Sequence, residues 1–324
     1  MFALLFLITS GCATVSKGGE FKEARDSAFK IRVTLKLDLK PLNDFLAKKA
    51  AEDQERADQQ KKDKEAQERR EYCAKYPCFG HPWAIFRDDV QLKMSLAQES
   101  TQLEVTKVTR DFAEIGWSGT GWDAARANGH TYVMTAGHVC ESKDVYHIDF
   151  FYIDWNTLEF EEVPLDLPIV EKHHVMIGRD GVDSADATII RDEDLDEATF
   201  NGNDLCMLGV AGDLGTPIPV ATHDPEYGES CSVVGAPTGL WGGGIAVPSD
   251  ALFAGRGSVF GTEPDGLAFN GLLAPGNSGS AVVCDGRVSG VISLGSSRFP
   301  SLIHAVPQDR IRAFIGKALH LPVI

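Results

Sequence analysis

The sequence predicts an all-β domain over residues 112–324, behind a charged segment that is either helical or disordered. Three observations carry this expectation. From Ile115 to Val306 short apolar runs alternate with glycine turns, the pattern of many short strands. Asn128-Gly129 stands between two such runs, where a tight hairpin turn belongs. Ala47 to Glu71 contains no Val, Ile, Leu, Phe, Met, Trp or Tyr, so it has no apolar stripe to bury in a core. The 324 residues allow one large or two small domains, and 43% hydrophobic residues supply ample core material.

Taken in order, residues 1–12 hold an apolar run, Phe2 to Ile8, too short to span a bilayer as a helix but suited to the core of a secretion signal. Residues 13–46 begin as a polar tether. They then alternate apolar and polar positions from Ile31 to Leu39 with the period of a strand, which Pro41 ends. Nothing in the sequence says what that strand pairs with. Residues 47–72 combine alanine, glutamine and opposite charges three or four apart, which favours helix. They read as a solvated stalk, about 35 Å long if fully helical, or as a linker. Residues 73–111 bridge to the β domain, with Cys73 and Cys78, an aromatic patch (Phe79, Trp83, Phe86) and a strand from Leu103 to Val108. The β domain closes with an amphipathic helix, Gln308 to Leu319, whose apolar face is Ile311, Phe314, Ile315 and Leu319.

The net charge of −16 argues against nucleic acid as a partner. The acidity is local: residues 141–204 hold 18 acidic and 4 basic residues, the mark of a solvated acidic face. His173-His174 invites a metal reading, but neighbours on a strand point to opposite faces and no further ligands stand at convincing spacing. The pair reads as surface.

Three stretches carry chemistry. Ala274-Pro-Gly-Asn-Ser-Gly-Ser280 is a tight turn running into the apolar strand Ala281-Val282-Val283, with Ser278 between glycines whose backbone amides can point inward. Such a turn supplies both a nucleophile and an oxyanion site. Thr135-Ala136-Gly137-His138 ends a strand on a histidine, and Asp186 in Ser184-Ala-Asp-Ala-Thr-Ile-Ile190 leads into another. The order is His138, Asp186, Ser278, with gaps of 48 and 92 residues. A base, a carboxylate that orients it and a hydroxyl it activates are what acyl transfer needs.

This trio resembles the chymotrypsin-like (trypsin-like) serine peptidases, through the Thr-Ala-Gly-His and Gly-Asn-Ser-Gly blocks and their order, over roughly Gly116 to the C-terminus. It is most similar to bacterial or viral types such as HtrA-type protease domains and glutamyl endopeptidases. The resemblance implies two six-stranded antiparallel β-barrels with a C-terminal helix, no cofactor, and hydrolysis of protein or peptide substrates through an acyl-enzyme. It implies His138 as base, Asp186 as its orienting carboxylate and Ser278 as nucleophile. Asp183 competes with Asp186, which is preferred because Asp-Ala-Thr-Ile-Ile resembles the family's Asp-Ile-Ala-Leu strand. The oxyanion hole falls on Gly276, Asn277 and Ser278, with the Gly276 and Ser278 amides as donors. Asn277 stands where digestive relatives carry an aspartate, so no new N-terminus is needed for activation. No stretch after the final helix is left for the PDZ domain of HtrA-type relatives.

For substrate binding the resemblance points to Ser293-Leu294-Gly295 as the strand beside the specificity pocket. Leu272 replaces the aspartate that selects Lys or Arg, so an apolar or small P1 residue is expected. His304 lies near the pocket-lining strand, where a histidine would select acidic side chains, although strand alternation turns it outward. Some relatives bind calcium between the histidine and aspartate motifs, which makes a calcium loop the sharper reading of the acidic stretch. Ser10-Gly11-Cys12 resembles a bacterial lipoprotein box, implying lipid on Cys12, a membrane anchor and an exported protein of the cell envelope. Setting Cys12 aside leaves six cysteines, an even number suited to an oxidising compartment. Cys231 and Cys284 resemble the two halves of a disulfide common in the family. Cys73 with Cys78 and Cys140 with Cys206 complete one of fifteen connectivities. Zinc on Cys73, Cys78 and His81 is the alternative and lacks a fourth ligand.

Overall fold

The computed structural model describes residues 25–68, 104–140, 143–154, 159–178, 184–196, 201–236, 247–257, 266–272, 274–295 and 301–320. It is built mostly of antiparallel strands that close into two six-stranded barrels.

In the first barrel, β1 (Ala28–Asp38) is followed by β3 (Phe112–Ala127), β4 (His130–Thr135), β8 (Asn201–Ala211), β7 (Ser184–Asp196) and β6 (Glu159–Ile177), which returns to β1. The strand of uncertain partner is therefore a barrel stave. Ile31, Val33, Leu35 and Leu37 are fully buried, as the period-2 pattern requires. Two strands lie off the ring: β2 (Glu104–Val108) pairs with β3, and β5 (Val145–Asp154) pairs with β6. The β3–β4 hairpin turns at Asn128 and Gly129, both at positive φ (55° and 74°), where Asn-Gly is favoured. The second barrel runs β10 (Val247–Gly257), β11 (Gly266–Gly271), β14 (Leu302–Pro307), β13 (Arg287–Gly295), β12 (Ala281–Cys284) and β9 (Ser230–Gly235). Its interior holds Val233, Phe253, Leu267, Phe269, Val282, Ile292, Ile303 and Ala305 around the Cys231–Cys284 disulfide.

By its contacts the chain divides into two compact units, one of residues 1–32, 118–141 and 174–324, the other of 33–117 and 142–173. The second unit carries the charged helix, α1 (Lys40–Glu68). It begins seven residues before the segment that composition singles out, because its first turns have something to bury. Leu39 and Leu42 are 3% exposed, and Phe45 packs edge-on against Phe150 and Tyr152 with centroids 6.2 and 5.6 Å away. Lys49 Nζ reaches Glu161 at 2.6 Å. The Asp38 carboxylate accepts the Lys40 N–H at 2.9 Å, and Pro41 sits in the first turn, where its missing N–H costs nothing. From Gln54 to Gln59 every side chain faces solvent. The bridging segment's cysteines, Cys73 and Cys78, and Cys12 lie outside the described residues.

Within the first unit the closing helix, α3 (Gln308–Leu319), has the bounds its periodicity predicts. Ile311 and Phe314 are buried among Trp122, Met134, Leu205, Met207, Val234, Val291 and Val306. This cluster joins the helix to residues of β3, β4, β8, β9, β13 and β14.

One charge is placed in this interior against its preference. Asp123 on β3 is fully buried; one carboxylate oxygen accepts Arg126 Nε at 3.1 Å and the other has no partner among the described residues. Burial pushes its pKa up from 3.8 to about 7, Arg126 opposing and Asp213 assisting. The folded state then binds more protons than the unfolded chain between these values, so stability falls as pH rises from about 4 to 7. Asp123→Asn is expected to flatten that slope and to raise stability at pH 8 by at least about 1 kcal/mol in denaturant titrations.

Candidate active site

His138 lies on a single helical turn, α2 (Gly137–Cys140), that follows β4 directly. A Cβ on Gly137 would come within 3.0 Å of Glu193 O and 3.1 Å of an Asp204 carboxylate oxygen, so glycine lets the turn seat against β7 and β8. The flanking Val139 and Cys140 are buried, while the His138 side chain is 40% exposed. The turn is pinned to β8 by the Cys140–Cys206 disulfide, which crosses the Thr135↔Cys206 end of the β4–β8 ladder.

The carboxylate beside this histidine belongs to Asp204. Its oxygens each lie 3.0 Å from His138 Nδ1, one also accepts the His138 backbone N–H at 2.9 Å, and the other accepts the Ser293 hydroxyl. The side chain is 1% exposed. Burial would raise its pKa, but the His138 charge and hydrogen bond, with the Ser293 and backbone hydrogen bonds, outweigh it and bring the carboxyl from 3.8 to about 2. A carboxylate acceptor fixes Nδ1 of His138 as the protonated nitrogen, which leaves Nε2 as the basic one in the neutral ring.

The assignment of this place to Asp186 is thereby corrected. Asp186 is exposed and sits opposite Val175 in the β6–β7 ladder. The neighbour of β4 is β8, not β7, so β7 stands a further strand spacing, about 4.8 Å, away. A signal for Asp204 was present. Cys140 paired with Cys206 brings the residue two before one cysteine beside the residue two before the other, and these are His138 and Asp204. Asp204 also opens Asp-Leu-Cys-Met-Leu, whose residues are all buried, and its φ of 44° is a conformation that Asp tolerates better than most residues.

Ser278 is half-buried at the crown of the turn from Ala274 to Ser280. Asn277 N–H donates to Ala274 O at 3.1 Å, and Ser280 N–H to Asn277 O at 2.9 Å. Gly279 N–H donates to Ile292 O on β13 at 2.8 Å, and Ile292 N–H donates back to Ser280 O at 3.0 Å. Ser278 O accepts Thr120 N–H at 2.9 Å, and Gly276 O accepts the Thr120 hydroxyl at 2.8 Å. Gly276 and Gly279 have φ of 97° and 85°. A Cβ on Gly279 would lie 2.1 Å from both Thr120 O and Thr135 Oγ1, so this glycine is required by space as well as by φ. Among the described residues the N–H groups of Gly276 and Ser278 have no carbonyl partner. Val139 and Ser278 O both border the open side of Gly119, which sets the turn beside the residue that follows His138.

The residues expected at the specificity pocket separate. Ser293 is 4% exposed and its hydroxyl is committed to Asp204, a positioning role the sequence did not suggest. Leu294 is half-buried and Gly295 exposed at the end of β13, and Leu272, just past β11, is 81% exposed. His304 is 4% exposed rather than turned to solvent. Alternation does direct it away from the barrel interior that Ile303 and Ala305 fill, but its ring lies against Gly266, where a Cβ would meet Nε2 at 2.1 Å. His174, expected at the surface, is 6% exposed with Nε2 against Cys140 O, while His173 is exposed. Among the described residues the acidic stretch gathers no group of three or more His, Cys, Asp or Glu able to hold a metal. Among the same residues no helix is long and apolar enough to cross a membrane.

No protein-family model matches the chain, and no curated protein does. Solved structures do. The HtrA-type protease AlgW, determined with a decapeptide, aligns with a TM-score of 0.51 at 14% identity over 94% of this chain and 68% of its own. A serine endoprotease from Yersinia pestis aligns at 0.43 and 14% over 70% and 66%. A protease from M. tuberculosis in its active form aligns at 0.44 and 14% over 76% and 93%. At such identities likeness speaks to fold, and the strand order above speaks to it independently. The fold of this chain is the trypsin-like pair of six-stranded barrels found in HtrA-type serine proteases.

Proposed function

We propose that the chain is a serine endopeptidase that cuts peptide bonds with His138, Asp204 and Ser278. The observation that carries this reading is the buried Asp204 carboxylate, held by Ser293 and bonded to both the ring and the backbone of His138. A buried charge needs such partners, and a histidine oriented this way presents Nε2 as a base.

In this mechanism His138 Nε2 takes the Ser278 hydroxyl proton as the oxygen attacks the substrate carbonyl carbon. The oxyanion that forms is received by the N–H groups of Gly276 and Ser278, with Asn277 shaping the turn between them. The imidazolium, stabilised by Asp204, returns the proton to the leaving amine, and an acyl-enzyme remains. Water, deprotonated by the same nitrogen, then releases the acid product and restores the serine. The substrate is a protein or peptide. The bound decapeptide of AlgW is consistent with a peptide substrate. The protein is exported and lipid-anchored at Cys12; the Cys140–Cys206 and Cys231–Cys284 disulfides favour an oxidising compartment.

Purified protein is expected to react with a fluorophosphonate probe, and Ser278→Ala and His138→Ala to abolish labelling. No labelling of folded wild-type protein would overturn the peptidase reading in favour of an inert binding protein on this fold. Asp204→Asn is expected to lower kcat by roughly 10³- to 10⁴-fold, as loss of the orienting carboxylate does elsewhere. Asp186→Asn should leave kcat within about 2-fold, and equal losses in the two variants would refute the assignment of Asp204. Because the Asp204 pKa is depressed, its stabilisation is full above the ordinary 3.8 and disappears as pH falls through about 2. Wild type and Asp204→Asn should therefore converge in stability across that window in acid denaturation.

A further inference from the structure

Thr120 is buried on β3, more than 150 residues before the nucleophile turn, yet it holds that turn at two points. Its backbone N–H donates to Ser278 O at 2.9 Å and its hydroxyl donates to Gly276 O at 2.8 Å. The same hydroxyl oxygen accepts the Ala236 N–H at 2.9 Å, at the end of β9. Thr120 O accepts the Thr135 hydroxyl at 2.7 Å, three residues before His138. One residue thus meets the histidine-bearing strand through its carbonyl, the turn through its N–H and hydroxyl, and the second barrel through the Ala236 N–H that its hydroxyl accepts.

We infer that the Thr120 hydroxyl is a positioning element of the oxyanion hole. A hydroxyl has one proton to donate; here it goes to Gly276 O, and the acceptor side is used by Ala236. The bond clamps the peptide plane that leaves Gly276, and Gly276 is glycine at φ 97°, a residue with little intrinsic resistance to rotation. The same plane carries the Asn277 N–H, bonded to Ala274 O at 3.1 Å, so it is held at both polar groups and restricts how far rotation about Gly276 can turn the Gly276 N–H, one of the two amides left without a carbonyl partner in the turn. No other side chain bonds the Gly276 carbonyl among the described residues. The Thr120 hydroxyl bonds the Gly276 carbonyl and the Ala236 N–H and no side chain of the proposed triad, so its effect on the hole passes through Gly276.

The inference rests on the peptidase reading, and the test separates the two. Thr120→Val keeps the shape and removes the hydroxyl; Thr120→Ser keeps the hydroxyl and removes the methyl group. Thr120→Val is expected to lower kcat by roughly 10- to 100-fold with KM within about 3-fold, the mark of an interaction realised in the transition state. Affinity for a peptide boronate, which forms a tetrahedral adduct with its oxygen in the hole, should fall in parallel. Thr120→Ser should restore both to within about 3-fold of wild type. The acid limb of the kcat/KM profile should not move in either variant, because His138 and Asp204 do not contact the hydroxyl. Circular dichroism and melting establish that each variant is folded; if Thr120→Val is not, Thr120→Ala removes the hydroxyl without the added methyl. Unchanged kcat in a folded hydroxyl-free variant, or equal losses in the serine variant, would overturn the inference while leaving the peptidase intact. Absence of turnover in wild type would overturn both.

Discussion

The Asp204 carboxylate is the constraint on which the chemistry-bearing part of this molecule depends. A bare carboxylate at 1% exposure is untenable without donors, and each donor comes from a different element: His138 from the turn after β4, Ser293 from β13 of the second barrel. Satisfying one buried charge therefore fixes the position of the histidine ring, its tautomer and the place of β13. The Cys140–Cys206 bridge sits two residues from both partners, so the geometry is held covalently on one side and electrostatically on the other.

The nucleophile turn follows a different logic, of space rather than charge. Gly279 is packed so tightly against Thr120 and Thr135 that a single Cβ has nowhere to go, while Asn277 Oδ1 fills the room that Gly235 leaves. Hydrogen bonds from Thr120 and to Ile292 then remove the freedom that two glycines confer. The turn is rigid because its surroundings are, which is the condition for backbone amides to act as pre-oriented dipoles.

Much of this was legible from the chain. The Thr-Ala-Gly-His and Gly-Asn-Ser-Gly blocks, the Asn128-Gly129 hairpin and the bounds of the last helix are local, and local pattern reveals local structure. The carboxylate was misplaced because strand order is not local. Asp186 and Asp204 each precede an apolar run, and only the β4–β8 pairing tells them apart. His304 and His174 escaped because alternation says which face of a strand a residue takes and not whether another layer covers that face. The strand at residues 28–38 could be read as a strand, but its partners lie beyond a long charged insertion that hides the barrel's continuity.

That insertion has a consequence in time. β1 bonds to β3 and β6, so its last partner is complete only when the chain has been made through Ile177, and the ring closes only after β8 ends at Ala211. At about 5–20 residues per second, the four fully buried side chains of β1 wait on the order of ten seconds for their last neighbour. An alternating apolar strand exposed for that interval is a template for pairing with other nascent chains. The next element to emerge is α1, dense in both signs of charge, which forms from local contacts on a microsecond scale. A strongly charged helix directly after an apolar strand disfavours pairing of that strand with other chains while its barrel is incomplete.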